Sequence, residues 1–402
     1  MSLPQSGSRS ALILGFLSFG ACFYVWSLFG PLGPKIQHDL ELTDVQLSWL
    51  VAIPVVLGSV MRIPMGILTD RFGGRAVFSS LMVYTAVPAA LIAFFHSSYG
   101  LLIVLGFLLG VTGSSFAVGV PFVSRWTPPQ RQGFALGVYG MGMGGTVVAA
   151  LTAPTLAETF GLAAPFAIGV FLMLALGLMF WLVGRDAPVA RPRTSLIEPL
   201  RVFAREPRAW ALTLFYFLAF GGFVAMFLYL PKLLVGVYHL QRADAGYRAA
   251  GFALLAVIAR PVGGWAADRF GAERVLLVSF AGVSALAATL TGFYQEIVPL
   301  TIACLTMAVC LGLGTGAVFK MVGNEFPKQV GAVTGVVGAA GGLGGFFPPL
   351  VMGAVKTAFG SYTLGFLLLA FTGVLCLAVL ALMMMRQPKL ASTTDQHEAT
   401  SR

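Results

Sequence analysis

Two arginines, Arg62 and Arg260, stand inside long apolar stretches, each eight residues before an aspartate. A guanidinium group in the hydrocarbon interior is costly and normally serves a function. The alternative is an arginine that extends its charge to the membrane surface. No Asp or Glu lies deep in any apolar stretch, and the nearest carboxylate, Glu325, lies at the end of one. Arginine binds planar oxyanions through two parallel hydrogen bonds and keeps its proton, so the pair predicts an anion-binding site.

Aromatic residues at helical spacing accompany the arginines. Tyr216, Phe220 and Phe223 recur at intervals that place them on one face of a helix. Phe116 lies in the glycine-rich stretch 113–119 of another apolar run. Two aromatic faces would flank a flat, weakly hydrated anion, with the Tyr216 hydroxyl as a donor. Ordinary helix packing is the other interpretation of this spacing.

Lys320 is a third cation inside an apolar stretch. One interpretation is that it extends to the membrane surface. The other is proton coupling, since a buried lysine, unlike an arginine, can give up its proton. The histidines lie in connections, at the ends of apolar stretches or in the tail, so they are poor proton relays. The sequence contains no cluster of metal ligands, no catalytic Ser/His/Asp set and no phosphate-binding loop, so we expect no cofactor and no enzyme.

The composition indicates a membrane protein, whose spans must position these residues. Hydrophobic residues make up 58% of the 402 residues and charged residues only 10%, far below a soluble domain. Twelve apolar runs are long enough to cross the bilayer, and they lack the alternation of barrel strands, which predicts an all-α protein. The runs lie near 11–33, 46–68, 76–95, 99–124, 133–157, 163–183, 209–232, 246–267, 275–294, 298–322, 331–357 and 362–385.

The distribution of basic residues predicts the orientation. Of the 25 lysines and arginines, 17 fall in the connections and ends on the side of both termini, five on the opposite side, and three within spans. This bias predicts cytoplasmic termini in a bacterial inner membrane. The net charge of +10 is spread over short loops, so nucleic acid is not an expected partner. The predicted organisation is a six-helix half (1–183), a cytoplasmic linker (184–208), a second six-helix half (209–385) and a disordered tail (386–402).

The two halves repeat each other at an offset of 198 residues, the separation of Arg62 and Arg260. The sequence Asp70-Arg71-Phe-Gly recurs as Asp268-Arg269-Phe-Gly in the second half, and Arg75 follows the first copy. Two parallel six-helix repeats place a substrate site between the halves near the midplane. We expect each aspartate to cap a helix of the opposite half, with the arginines completing a charge network that gates one side.

Glycines repeat at the same offset. Gly137, Gly140 and Gly144 form a small-residue stripe, which Gly335, Gly338 and Gly342 match in the second half. Such stripes allow close helix contact and sliding, so helix packing is their expected role. Close approach of the backbone to an anion is the alternative.

The loop sequence at residues 66–75 resembles the signature of the major facilitator superfamily. The stretches 113–137 and 314–349 resemble the two signatures of its nitrate/nitrite porter family. The resemblance covers all twelve spans and implies the major facilitator fold. It also implies that Arg62 and Arg260 bind the anion, that Phe116 and Phe220 enclose it, and that Tyr216 contributes its hydroxyl. Met143 and Thr315 occupy positions where the family often has Asn. This difference leaves open whether the protein prefers nitrate or nitrite.

The expected function is transport of nitrate or nitrite by alternating access, as a monomer in the lipid bilayer. Closing an empty site on two like charges is unfavourable, which favours exchange of one anion for another. Uptake together with protons is the alternative coupling. Transport of an organic phosphate or carboxylate, and a sensor that transports nothing, are the competing functions.

Overall fold

The computed structural model describes residues 5–188, 205–359 and 361–385, which are helical apart from short connections. Eleven of its helices are long and apolar enough to cross a membrane, and Val330–Phe359 occupies the place of the remaining predicted span. Most of the predicted linker and all of the predicted tail lie outside the described residues. We number the spans 1 to 12 in chain order: Arg9–Asp39, Val45–Phe72, Gly74–Phe94, Tyr99–Trp126, Pro129–Phe160, Ala163–Val183, Pro207–Tyr238, Asp244–Phe270, Ala272–Phe293, Ile297–Glu325, Val330–Phe359 and Thr363–Met385.

Helix packing reproduces the repeat in the sequence. Span 3 packs on span 6 in the first half, and span 9 packs on span 12 in the second. Between the halves, span 2 packs on span 11 and span 5 on span 8, which are again equivalent pairs. The two halves therefore meet along two related helix crossings, and each crossing contains one of the two arginines.

Glycine brings the backbones together at these crossings. A Cβ atom added at Gly66 of span 2 would lie 2.1 Å from the carbonyl oxygen of Gly331 in span 11. A Cβ atom at Gly264 of span 8 would lie 2.0 Å from the carbonyl oxygen of Gly133 in span 5. Only glycine permits such contacts, so the main chains of opposite halves touch here.

Spans 2, 4, 5 and 7 all depart from α-helical geometry partway along their length. In span 2 the helix ends at Val60 and restarts at Arg62, because Pro64 has no N–H group for the carbonyl one turn earlier. Spans 4 and 5 contain the 3₁₀ turns Gly110–Ser114 and Met141–Gly144, and span 7 contains the π turn Phe217–Gly221. The glycines in these turns weaken the α conformation, and such irregular turns frequently occur at functional sites.

Candidate anion-binding site and gate

Arg62 opens the second segment of span 2 and is only 3% exposed. Its Nη1 atom donates a hydrogen bond to the carbonyl oxygen of Gly338 in span 11, on the opposite half. Its Nε atom donates to the carbonyl oxygen of Gly113 at 3.2 Å, within the irregular turn of span 4. The arginine thus contacts both halves of the molecule.

Arg260, in span 8, is 4% exposed and has an equivalent arrangement. Its Nη1 atom donates to the carbonyl oxygen of Gly140 in span 5 at 3.2 Å. Gly140 and Gly338 are equivalent at the 198-residue offset. Each arginine therefore donates to a glycine of the opposite half, and the two glycines occupy equivalent positions. The second contact of Arg260 differs, since its Nη2 atom lies 3.6 Å from the sulfur of Met143.

Both guanidinium groups converge on one aromatic ring. The Cζ atom of Arg62 lies 5.5 Å from the centroid of the Phe220 ring, and that of Arg260 lies 5.6 Å from it. The two Cζ atoms are therefore at most about 11 Å apart, where two unit charges repel by roughly 1.5 kcal/mol at an effective dielectric of about 20. Within the described ranges neither arginine forms an ion pair with a carboxylate. The site therefore carries two positive charges, and the part of the chain that the structure describes supplies no counterion.

Tyr216 and Phe116 complete the set that we call the arginine site: Arg62, Arg260, Phe116, Tyr216 and Phe220. The Tyr216 ring stacks on Phe220 at 5.2 Å and faces Phe116 across the two halves at 6.1 Å. Its hydroxyl forms no hydrogen bond with another described residue, and the phenol lies within electrostatic range of both guanidinium groups. All five side chains singled out from the sequence for anion binding thus lie together and are buried.

Phe319 is a member of this aromatic cluster that sequence reasoning missed. Its ring makes edge contacts of 4.7 Å with both Phe116 and Tyr216, and it is 3% exposed. It directly precedes Lys320 in the glycine-rich stretch of span 10. That position was the sequence feature that could have indicated a place at the site. Through this pair of residues the arginine site is joined directly to the gate described below.

The glycine stripes pack against the helices that carry the arginines. A Cβ atom at Gly137 would lie 2.6 Å from the Arg260 carbonyl oxygen, and one at Gly335 would lie 2.5 Å from the Arg62 carbonyl oxygen. At Gly342 it would lie 2.2 Å from the Ser59 hydroxyl, whereas at Gly144 the nearest atom is 4.0 Å away. These contacts fit the expected packing role, and Gly140 and Gly338 also supply the carbonyl groups that accept hydrogen bonds from the arginines.

Asp70 caps a helix of the opposite half, as the sequence suggested. Its two carboxylate oxygens accept hydrogen bonds from the backbone N–H groups of Gly331 and Ala332, at 3.1 and 2.9 Å. These residues begin span 11, where the helix dipole favours a negative charge. Arg125 of span 4 forms an ion pair with the same carboxylate.

Asp268 makes the equivalent cap on span 5. Its oxygens accept from the N–H groups of Gly133 and Phe134 at 2.9 and 2.8 Å. Lys320 forms an ion pair with Asp268 at 2.8 Å and also donates to the carbonyl oxygen of Pro129. The two caps join the two halves at one end of the bundle. We call the two capped aspartates, with Arg125 and Lys320, the gate, after the role that the sequence predicts for the aspartates.

This geometry corrects two sequence-based interpretations. Lys320 does not extend to the surface, because its side chain is only 9% exposed and is paired with a carboxylate. The loop arginines, which were expected to complete the charge network on this side, form no ion pair with a described residue. Arg71 stacks on Phe72, Arg269 stacks on Trp265 and Phe270, and Arg75 contacts Trp181 and Asp186 of its own half.

The basic residues of the gate are Arg125 and Lys320 because they extend from spans 4 and 10, which border the capped helix ends. Arg71 and Arg269 directly follow the aspartates within the same helices, and adjacent residues of a helix do not share a face. Thr315, the second departure from the family signature, donates its hydroxyl to the carbonyl oxygen of Gly312 in its own helix.

Solved structures identify the class of protein that this fold defines. The fucose:proton symporter FucP of E. coli superposes with a TM-score of 0.75 at 18% identity, covering 92% of this chain and 99% of that one. The human organic anion transporter MFSD10 superposes with a TM-score of 0.79 at 16% identity, covering 94% and 100%. The predicted fold, that of major facilitator transporters, is confirmed.

Sequence comparison identifies the family. The profile of the Major Facilitator Superfamily matches residues 15–251 and 233–401. The probable nitrate/nitrite transporter NarK2 of Mycobacterium tuberculosis is 42% identical over 94% of this chain and 96% of its own. The nitrite extrusion protein of Bacillus subtilis is 38% identical over 96% and 97%. The chain belongs to the nitrate/nitrite porter family of the major facilitator superfamily.

Proposed function

We propose that this protein is a secondary transporter that moves nitrate and nitrite across the membrane by alternating access, with the anion bound between Arg62 and Arg260. The observation that carries the proposal is the meeting of two buried arginines from opposite halves on one aromatic ring, with no carboxylate paired to either among the described residues. A small planar oxyanion supplies the missing negative charge and matches the hydrogen-bonding geometry of a guanidinium group.

The aromatic surroundings support a flat, weakly hydrated anion. The Phe220 ring faces both guanidinium groups, Tyr216 stacks on Phe220 and faces Phe116, and the Tyr216 hydroxyl is available as a donor. A phosphate ester or a larger carboxylate would bring a bulkier, more strongly hydrated group into this buried site. The names of the curated relatives also favour nitrate and nitrite over those substrates.

The transport cycle follows from the contacts between the halves. Each arginine donates to a glycine carbonyl of the opposite half, and the gate joins the halves at one end. An anion between the arginines reduces their repulsion and favours closure around it. Opening of the gate separates Asp70 from span 11 and Asp268 from span 5, so the anion leaves at that end.

The bias of basic residues supports a cytoplasmic gate end and cytoplasmic termini, in the inner membrane of a bacterium. The proposed coupling is exchange of one anion for another, carried out by the monomer. Exchange is favoured because an empty carrier must close on two like charges. Uptake together with protons is the other coupling, with Lys320 as the titrating group.

Counterflow in proteoliposomes tests the proposal. Vesicles loaded with nitrite should take up labelled nitrate, and unlabelled nitrate outside should compete, whereas organic phosphates and carboxylates should not. A protein that reconstitutes in folded form but moves no anion would be a sensor. Uptake that an organic phosphate inhibits better than nitrate does would assign a different substrate.

A further inference from the structure

The two arginines differ in their second contact. Arg62 has two carbonyl oxygens as acceptors, on Gly338 and Gly113. Arg260 has one carbonyl oxygen, on Gly140, and the Met143 thioether, 3.6 Å from its Nη2 atom. Met143 is 4% exposed and belongs to the 3₁₀ turn Met141–Gly144 of span 5, so this contact also joins the two halves.

The pseudo-symmetry explains why the difference exists. The position equivalent to Met143 in span 11 is Gly341, at the 198-residue offset. A Cβ atom at Gly341 would lie 2.4 Å from the Tyr216 ring and 3.2 Å from the Phe220 ring. Glycine therefore makes room for the aromatic pair on one side of the site. On the other side the equivalent position carries a long flexible side chain, which reaches Arg260.

We infer that Met143 is a specificity-determining residue: its sulfur holds the Nη2 group of Arg260 in the empty carrier and gives it up when an oxyanion binds. The inference rests on the proposed function. A thioether is a weak acceptor, whereas an oxyanion carries the charge opposite to arginine and can accept two parallel hydrogen bonds from it. Of the four acceptors on the two arginines, the sulfur is therefore displaced at the lowest cost.

This arrangement predicts that the two arginines take unequal parts in binding the anion. Arg62 is fixed by two backbone groups, whereas Arg260 has one contact that an anion readily replaces. Methionine has three rotatable bonds and a polarisable sulfur, so it can withdraw from the guanidinium group and still pack against a polarisable anion. Weakly hydrated monovalent oxyanions are the substrate class that this side of the site favours.

Substitution of Met143 tests the inference in two directions. Met143→Leu keeps the volume but removes the acceptor, which raises the free energy of the empty site and leaves the bound site little changed. We expect nitrate to bind about threefold more tightly. Met143→Gln places an amide oxygen, a stronger acceptor, against Arg260, and we expect nitrate to bind about threefold more weakly. Calorimetric titration of the purified protein with nitrate and with nitrite measures both changes.

Met141→Leu is the matched control. Met141 lies in the same turn, and its sulfur makes no hydrogen bond with any residue the structure describes, so its affinity should equal that of wild type. Unchanged or weaker binding by a folded Met143→Leu variant would overturn the inference. If that variant does not fold, Met143→Gln decides: weaker binding supports the inference, and equal or tighter binding overturns it. A wild-type protein that binds neither anion would overturn the proposed function itself.

Discussion

At the residue scale, the two buried arginines are distinguished by their partners. Burial of a charge normally requires a counterion and satisfied hydrogen bonds. Arg62 and Arg260 have backbone hydrogen bonds and contacts with an aromatic face, but no carboxylate within the described ranges. Their donor groups are therefore held in place while their charge remains uncompensated, which is the state that a binding site for an anion requires.

We expect Arg62→Lys and Arg260→Lys each to abolish nitrate transport while the protein still inserts and folds. Lysine keeps the charge, but it loses the planar fork that donates to a carbonyl oxygen and an anion at once. Counterflow in proteoliposomes measures the effect. Arg248→Lys is the control, because Arg248 lies on the same helix as Arg260 but is exposed and pairs with Asp244. Transport near the wild-type rate in either site variant would remove that arginine from the proposed site.

At the element scale, the irregular turns and the glycine stripes act on the same helices. The turn of span 4 presents the carbonyl group of Gly113 to Arg62, and the turn of span 5 presents the Met143 sulfur to Arg260. The carbonyl group of Gly140, directly before the span 5 turn, is the other acceptor of Arg260. The stripes let spans 5 and 11 approach the arginine-bearing spans closely enough for these contacts to form. Backbone geometry and side-chain chemistry at the site therefore depend on each other.

Two members of the stripes should respond differently to alanine. At Gly335 the new Cβ atom would lie 2.5 Å from the Arg62 carbonyl oxygen and 3.0 Å from the Ile63 Cα atom, so span 11 must move away from span 2. Overpacking of this kind costs about 1–3 kcal/mol, and we expect at least about a fivefold loss of transport. Gly144→Ala is the paired control, because a Cβ atom added at Gly144 would lie 4.0 Å from the nearest atom, in the Val257 side chain. Equal transport rates in the two variants would show that close packing at Gly335 is unimportant.

The caps predict a conformational effect. Asp70→Asn and Asp268→Asn weaken the bonds to the N-terminal N–H groups of spans 11 and 5, and each removes a charge that the helix dipole favours. We expect a shift of about 1–2 kcal/mol toward the state with an open gate, with little change in nitrate affinity. Accessibility of single cysteines from each side of the membrane reports the shift. Asp244→Asn, at an exposed position in span 8, should leave it unchanged. Lower affinity with unaltered accessibility would contradict the gating role.

At the scale of the whole molecule, the charge of the empty carrier is the basis of the proposed coupling. The two halves meet through the arginines and through the gate. Among the described residues, Lys320 has a carboxylate counterion and the two arginines have none. An anion that leaves without replacement restores the repulsion between the arginines. Return of the carrier with a second anion avoids that cost.

We therefore expect nitrate/nitrite exchange in liposomes to proceed without a proton gradient. Lys320→Gln should remove any proton-driven uptake and spare exchange more than uptake. Arg125→Gln is the matched control: it weakens the equivalent ion pair of the gate, but arginine keeps its proton in any case. A direct comparison of exchange and gradient-driven uptake in both variants separates gating from coupling. Strong proton-driven accumulation that survives Lys320→Gln would contradict a coupling role for this lysine.

The sequence by itself determined the spans, the repeat and the arginine pair. Hydrocarbon admits few charges, so the length of each apolar run and the three cations within the runs, two of them the arginine pair, are visible without a structure. The offset of 198 residues also related Asp70 to Asp268 and the two glycine stripes to each other. These features depend only on position along the chain or on a local helical period.

Tertiary structure alone decided which groups meet across the halves. Arg125 has Gly323 at the equivalent position, whereas Lys320 lies three residues earlier. The sequence repeat could therefore not pair them, although both reach a capped aspartate. The carbonyl groups of Gly113, Gly140 and Gly338 carry no side-chain signal, and Phe319 joins the site only because spans 4, 7 and 10 converge there. Such contacts depend on helix crossing and side-chain reach, which a one-dimensional pattern does not encode.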